Sequence, residues 1–98
     1  MIEADTTEVV VRAQRGDRVA IEWLVRRFLR PAYLMALSVV KTPADAEDVA
    51  QEAVAMAMQQ LETCRDPARF PGWLMSNVRN RSLNRLESAR VRQRYADT

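Results

Sequence analysis

The chain has 98 residues, which is enough for one small domain, and 48% of them are hydrophobic while 29% are charged. This balance supports a folded core and excludes a compositionally disordered chain. Histidine is absent and Cys64 is the only cysteine, which excludes a histidine base, a zinc site and a disulfide within the chain. The sequence also lacks a nucleophile–base pair and a glycine-rich phosphate loop, so we expect no enzyme, no metal and no cofactor.

The charged residues are unevenly distributed, although the net charge is only +2. Residues 1–64 carry seven basic and ten acidic side chains, whereas residues 65–98 carry eight arginines and three acids. Such a bipolar chain indicates two partners of opposite charge; the alternative is that the charges only keep the surface soluble. The N-terminus is unlike a secretory signal, and the most apolar run, residues 32–40, is far shorter than the roughly 20 residues of a membrane span. We therefore expect a cytoplasmic protein without membrane contact.

The apolar residues follow a helical period from the first element onward. A first helix starts at Thr6 or Thr7 and stops at Gly16, which adopts a left-handed backbone at low cost. Asp17 has the position and type of an N-cap for the second helix. Pro31 lies within the second helix and predicts a kink or a short break. The core-facing stripe of this helix consists of Ile21, Leu24, Val25, Phe28, Leu29 and Ala32.

The segment after Pro31, residues 33–40, is apolar nearly all round, which predicts burial on several sides. Thr42 then caps a third helix, with Pro43 in its first position and Asp45 reaching back in a capping-box arrangement. This helix runs to about Thr63. Its small side chains would let another helix approach closely, and its stripe consists of Ala46, Val49, Ala50, Ala53, Ala57 and Leu61.

A short loop, residues 64–70, separates the third helix from the last one. Asp66 and Pro67 form a second cap-plus-proline pair and predict a single helical turn there. The last helix opens at Pro71 and Gly72 and runs to about Arg94. The predicted fold is therefore all-α, a compact bundle of three to four helices with a long basic C-terminal helix.

The third helix carries an acidic face. Asp45, Asp48 and Glu52 stand at positions i, i+3 and i+7, and Gln51 lies at the edge of that face. The functional interpretation is a docking surface for a basic partner, because such charges steer association and fix register. The alternative is a solvated face whose first-turn acids favour the helix dipole. Carboxylates on an open face without an apolar pocket do not favour acid–base catalysis.

The last helix combines an aromatic residue, amides and arginines. Asn77, Asn80 and Asn84 continue the face that begins at Trp73. Guanidinium groups suit phosphates, amides suit base edges, and an aromatic ring stacks on bases, so the pattern favours single-stranded nucleic acid. The alternative is that Trp73 fills the core, the arginines form a solvated surface and the asparagines are packing groups. The arginines of this region are Arg65, Arg69, Arg79, Arg81, Arg85, Arg90, Arg92 and Arg94.

Several segments resemble one known family when they are taken in order. They are VRAQRGD at residues 11–17, FLRPAY at 28–33, PADAEDVAQE at 43–52, FPGWL at 70–74, and Asn80. Together they resemble the second domain of bacterial sigma-70-type factors of the extracytoplasmic-function group, over about residues 8–92. The resemblance implies a helical domain that docks on the clamp helices of core RNA polymerase, recognises the −10 promoter element and takes part in DNA opening.

The resemblance also implies roles for individual residues. Asp48, Gln51 and Glu52 match positions that contact polymerase, and Asp45 lies on the same face. The loop of residues 65–69 matches the segment that holds a flipped base, and the helix after it matches the promoter-reading and melting element. The residues expected to contact DNA are Arg65, Arg69, Phe70, Trp73, Asn77, Asn80, Arg81, Asn84 and Arg85.

DNA opening would then proceed by capture of the non-template strand. Extruding a base costs a few kcal/mol, and stacking and amide contacts offset that cost. The alternative is a sigma-like interaction module that binds polymerase or an anti-sigma factor without reading DNA. It is motivated by Asn77, Asn84 and Glu87, which stand where the family usually has an apolar residue, Asp and Arg. We expect residues 1–98 to form one domain, without a second helical domain that reads the −35 element.

Overall fold

The computed structural model describes residues 5–97, and the predicted all-α fold is confirmed for them. Residues 1–4, where the prediction of no targeting signal falls, and Thr98 lie outside the described residues. None of the described helices is long and apolar enough to cross a membrane. The elements are α1 (Thr6–Gln14), α2 (Arg18–Val40), α3 (Pro43–Gln59), a 3₁₀ turn (Leu61–Thr63), a second 3₁₀ turn (Pro67–Arg69) and α4 (Phe70–Ala96).

Helix α2 lies at the centre of the bundle and packs against α1, α3 and α4. Leu24 is its largest fully buried side chain. The predicted small-residue stripe of α3 is confirmed, since every member is buried against the other helices. The short stripe of α1 is likewise buried, and it consists of Val9, Val10 and Ala13. The core is therefore built from the faces that the helical period predicts.

The α1–α2 junction has the predicted capping residues. Gly16 has a φ of +90°, a conformation that strains any residue with a Cβ atom. The Asp17 carboxylate accepts hydrogen bonds from the backbone N–H groups of Val19 at 3.0 Å and Ala20 at 3.3 Å. The same carboxylate accepts from Arg12 of α1 at 2.8 Å, so one side chain both starts α2 and joins it to α1.

The structure corrects two predictions for α2. The helix continues through Pro31, so the short break that was one of the two alternatives predicted there is not formed. Pro31 lies on the exposed side of α2, where water can replace the donor that proline lacks. Burial on several sides beyond Pro31 is also not found, since Leu34 is 50% exposed. The other helices cover only one side of this segment, and only Ala32, Ala36 and Val40 are buried there.

The boundaries of α3 also differ from the prediction. Thr42 is the N-cap residue, but the helix has no side-chain cap bond, and the predicted capping box with Asp45 is not formed. The Thr42 hydroxyl instead donates to the carbonyl of Val40, next to Lys41, whose left-handed backbone closes α2. The α-helix ends at Gln59, and the 3₁₀ turn Leu61–Thr63 replaces the predicted last turn.

Helix α4 projects from the bundle. Its 27 residues span roughly 40 Å, and the described chain is 57 Å along its longest axis. The buried positions follow a four-residue spacing, and among residues 70–97 none after Ser82 is buried. They are Phe70, Leu74, Val78 and Ser82. The first half of α4 therefore belongs to the core, whereas the second half is surrounded by solvent.

Asp17 makes the stability of the fold depend on pH. The hydrogen bond from Arg12 is the first cause that holds the pKa of Asp17 below its ordinary value of 3.8, and the bond from Ala20 N–H adds to it. Because the folded-state pKa is the lower one, the stabilisation is complete above the unfolded-state pKa. It disappears as the pH falls through the folded-state pKa.

We expect Asp17→Ala to lower the urea midpoint at neutral pH, and the difference from the wild type to shrink as the pH falls from about 7 to about 2. Asp17→Asn keeps a cap acceptor and loses the charge, so its urea midpoint at neutral pH should lie between those of the wild type and Asp17→Ala. The measurement is urea unfolding followed by circular dichroism at each pH. A difference that does not vary with pH would show that the Asp17 carboxylate is not the cause.

Candidate functional site

The segment between α3 and α4, residues 60–69, is called the connection below. An open depression of ≈ 700 Å³ lies where this α3–α4 connection meets the start of α4. One wall is the connection itself, which carries the predicted DNA contacts Arg65 and Arg69. The other wall is the first part of α4, which carries Trp73. The lining residues are Thr63, Cys64, Arg65, Asp66, Ala68, Arg69, Pro71, Gly72, Trp73 and Ser76. The structure thus brings together three of the predicted site residues around one concave surface.

The α4 wall is supported by a row of three aromatic rings. Phe28 of α2 meets Phe70 edge-to-face with ring centroids 5.2 Å apart, and Phe70 meets Trp73 at 5.9 Å. Trp73 is half-buried, so part of its ring faces the depression. Phe70 is 0% exposed. The sequence pattern places Phe70 among the DNA contacts, whereas in the structure its side chain has no accessible surface and lies beneath Trp73.

The connection is shaped by its own polar groups. Asp66 caps the second 3₁₀ turn by accepting from Ala68 N–H at 3.1 Å, as the cap-plus-proline pair predicts, and it lies 3.6 Å from Arg69. Cys64 is buried, and burial, reinforced by the Asp66 charge, raises the pKa of its thiol. The thiol is therefore protonated at neutral pH and serves as a small apolar group. Arg65 and Arg69 are exposed and can reach a ligand.

The three asparagines of α4 form an open row. Asn77, Asn80 and Asn84 are exposed, and in the region from 5 to 97 no hydrogen bond involves their side chains. They lie along a second recess of ≈ 180 Å³ between α3 and α4. Its other lining residues are Ala53, Met56, Ala57, Gln60 and Arg81. Free amide groups beside a recess can donate and accept hydrogen bonds at the edges of bases.

The acidic face of α3 is open to solvent. The side chains of Asp48 and Glu52 are 64% and 54% exposed. Gln51 is exposed too and lies in a groove of ≈ 510 Å³ between α2 and α3, whereas Asp45 is half-buried. Of the four predicted polymerase contacts, Asp48 and Glu52 therefore lie open on the outside of α3, Asp45 is partly covered, and Gln51 lies in the groove toward α2.

Two ion pairs cross from α3 to α4. Arg81 donates to Glu52 at 3.0 and 3.2 Å and to the sulfur of Met56 at 3.0 Å. Arg85 lies 3.6 Å from Asp48. Two predicted DNA contacts thus pair with two predicted polymerase contacts, and the two surfaces adjoin along the α3–α4 seam. The contact to Met56 has no signal in the sequence, because it depends on how two distant helices align.

The fold and site define a small all-α domain with a carboxylate surface on one helix and an arginine- and amide-rich surface on the next. The model of the family Sigma-70 region 2 matches residues 24–92. The chain belongs to the sigma-70 region 2 family, and the resemblance stated from the sequence motifs is confirmed.

Individual sigma factors are similar to most of this chain. It is 32% identical over 89 residues to the ECF RNA polymerase sigma factor SigM of Mycobacterium tuberculosis, covering 91% of this chain and 45% of that protein. It is 33% identical over 79 residues to the RNA polymerase sigma-H factor of Pseudomonas aeruginosa, covering 81% and 41%. The chain spans less than half the length of these curated relatives. No solved structure matches the chain significantly.

The ion pair between Arg81 and Glu52 should stabilise the α3–α4 seam only modestly. Both side chains are partly exposed, so we expect a coupling free energy on the order of 0.5 kcal/mol from a double-mutant cycle with alanine at each position. The measurement is urea unfolding at low and high salt, and the coupling should fall with salt.

The control is the pair of Arg94 and Glu87, which lies within α4, is longer at 3.4 Å and is more exposed. We expect a smaller coupling there. Equal couplings in the two cycles would show that the contact across the seam has no special contribution.

Proposed function

We propose that this chain is the domain of a transcription initiation factor that docks on core RNA polymerase through α3 and captures the non-template strand of the −10 element on α4. The observation that carries the proposal is the row formed by the half-buried Trp73 and the exposed Asn77, Asn80 and Asn84, beside the arginine-lined depression. The domain performs no covalent chemistry in this proposal and acts in the cytoplasm, where polymerase and promoter DNA are found.

The DNA-binding half of the proposal follows from what a single strand offers. A base stacked on an aromatic ring contributes about 1–3 kcal/mol, and the partly exposed ring of Trp73 supplies such a surface. Arg65 and Arg69 add positive charge for phosphates on the opposite wall. Phe70 supports Trp73 from below and makes no contact with DNA itself.

Arg81 and Arg85 take a different role from the exposed arginines. Their side chains are 38% and 30% exposed, and each is paired with a carboxylate of α3. A guanidinium group has five N–H donors, so a phosphate at the seam can be bound through donors that the carboxylate does not use. We assign these two arginines to the rim of the DNA surface.

The polymerase-binding half of the proposal rests on the outer side of α3. Asp48 and Glu52 present carboxylates to solvent. The half-buried Asp45 lies on the same helix, and Gln51 lies at the edge of this surface toward α2. A basic helical partner such as the clamp of the polymerase would be steered by this charge and held in register by it. This surface requires no rearrangement of the bundle.

A second candidate function is protein interaction without DNA reading, with polymerase or an anti-sigma factor as the partner. It is favoured by the pairing of Arg81 and Arg85 with α3, which leaves fewer unpaired arginines on the DNA side. Binding to polymerase that persists while promoter DNA is ignored would select this function over the first.

Replacing Trp73 by leucine keeps apolar volume next to Phe70 and removes the stacking surface. We expect Trp73→Leu to weaken binding of a −10-like single-stranded oligonucleotide roughly tenfold, and Asn80→Ala to weaken it less. The measurement is fluorescence anisotropy at several salt concentrations. Trp23→Phe, on α2 and outside the depression, is the matched control and should bind like the wild type. Wild-type affinity of Trp73→Leu would contradict base stacking at this position.

Removing two charges from α3 should separate polymerase docking from general electrostatics. We expect the double variant Asp48→Asn/Glu52→Gln to reduce copurification with core RNA polymerase several-fold, because the charges that steer association are lost. Glu8→Gln/Glu22→Gln removes the same charge from exposed positions of α1 and α2 and should retain polymerase. Equal retention by the two double variants would refute the α3 docking surface.

A further inference from the structure

One side chain of α1 ties the α3–α4 connection to the rest of the bundle. The Nε2 atom of Gln14, the last residue of α1, donates to the carbonyls of Leu61 at 3.1 Å and Cys64 at 2.9 Å. In the part of the chain that the structure describes, these two are the only side-chain hydrogen bonds between α1 and the connection. The two hydrogen bonds therefore join residues that are 47 and 50 positions apart in the sequence.

The geometry of this amide fixes a short stretch of backbone. An amide –NH₂ group has two hydrogens, so Gln14 can donate to both carbonyls, which belong to residues three positions apart. Those carbonyls bracket the 3₁₀ turn Leu61–Thr63. From Cys64 the constraint continues locally, since the Cys64 sulfur lies 3.5 Å from the Asp66 carbonyl and the Asp66 carboxylate starts the next 3₁₀ turn. A short series of contacts that begins at Gln14 thus holds the backbone of the connection between Leu61 and Ala68.

The two walls of the depression have supports of different kinds. The α4 wall rests on the aromatic row of Phe28, Phe70 and Trp73, which is apolar and buried at its centre. The connection has only Leu61 and Cys64 as buried apolar anchors. Both 3₁₀ turns of the connection also pack against α1. The side-chain hydrogen bonds that join the connection to α1 come from Gln14, so this side chain helps to set where the connection lies relative to Trp73.

We propose that Gln14 is a positioning residue for base capture. Its amide holds the loop that carries Arg65 and Arg69 at the distance from Trp73 at which an extruded base meets both walls. Gln14 does not line the depression and does not contact the base. The inference rests on the proposed function for its ligand, a single-stranded nucleic acid, but the contact that it invokes is present in the unbound chain.

The first experiment tests the contact without DNA. In the full chain, Gln14→Leu removes the donors, and the isosteric Gln14→Glu places an acceptor against two carbonyls. We expect faster amide hydrogen exchange of residues 60–69 in both variants relative to the core of α2. Gln59→Leu, which removes an exposed amide at the end of α3, should exchange like the wild type. Unchanged exchange of residues 60–69 in both Gln14 variants would overturn the proposal.

The second experiment tests positioning with a ligand. Binding of a −10-like single-stranded oligonucleotide is compared with binding of the same strand carrying one abasic position. We expect the wild type to bind the intact strand more tightly than the abasic one. In the Gln14 variants the ratio of the two affinities should fall roughly tenfold, while the salt dependence of binding stays unchanged. A preference that the Gln14 variants retain would overturn the positioning role alone. Absence of any preference in the wild type would overturn base capture itself, and the exchange result would still report whether Gln14 holds the loop.

Discussion

The packing of Phe70 between Phe28 and Trp73 is the contact on which the rest of the structure depends. Removing a buried phenylalanine side chain costs about 3–5 kcal/mol, whereas a partly exposed ion pair contributes at most about 1 kcal/mol. The aromatic packing, and not the pairs of Arg81 and Arg85 with α3, therefore sets the position of α4. Once Phe70 is fixed, the helical period determines which α4 residues face solvent.

The α3–α4 seam has a different physical character from the core. Its ion pairs are partly exposed, so water and salt screen them, and their partners can be exchanged at little cost. The same carboxylates of α3 that suit a basic protein partner thus hold two arginines of α4 in the unbound chain. The two proposed surfaces share one seam, and a ligand on either side meets groups that are already paired but not rigidly held.

The sequence predicted the helices and their junctions because those signals are local. Asp17, Gly16 and the cap-plus-proline pair at Asp66 act within a few residues, and the apolar period shows which face of a helix is buried. Apolar composition does not show how far neighbouring helices cover a helix, which is why the nearly all-round apolar segment of residues 33–40 predicts more burial than is found at Leu34. Contacts such as that of Gln14 with Leu61 depend on the packing of distant elements and leave no pattern along the chain.

The contrast between the two walls of the depression bears on how a base could enter it. Hydrogen bonds contribute about 0.5–1.5 kcal/mol each in net terms, so the two bonds of Gln14 are weaker than the aromatic packing under Trp73. The connection is therefore the more weakly held wall of the depression, and the α4 wall is the more firmly held one. Extruding a base costs a few kcal/mol. Stacking on an aromatic ring offsets this cost best when the packing around the ring already holds it in place. In the capture that we propose, the firmly packed ring of Trp73 would provide the stacking surface, and the connection, positioned by Gln14, would bring the charges of Arg65 and Arg69 to the other side of the base.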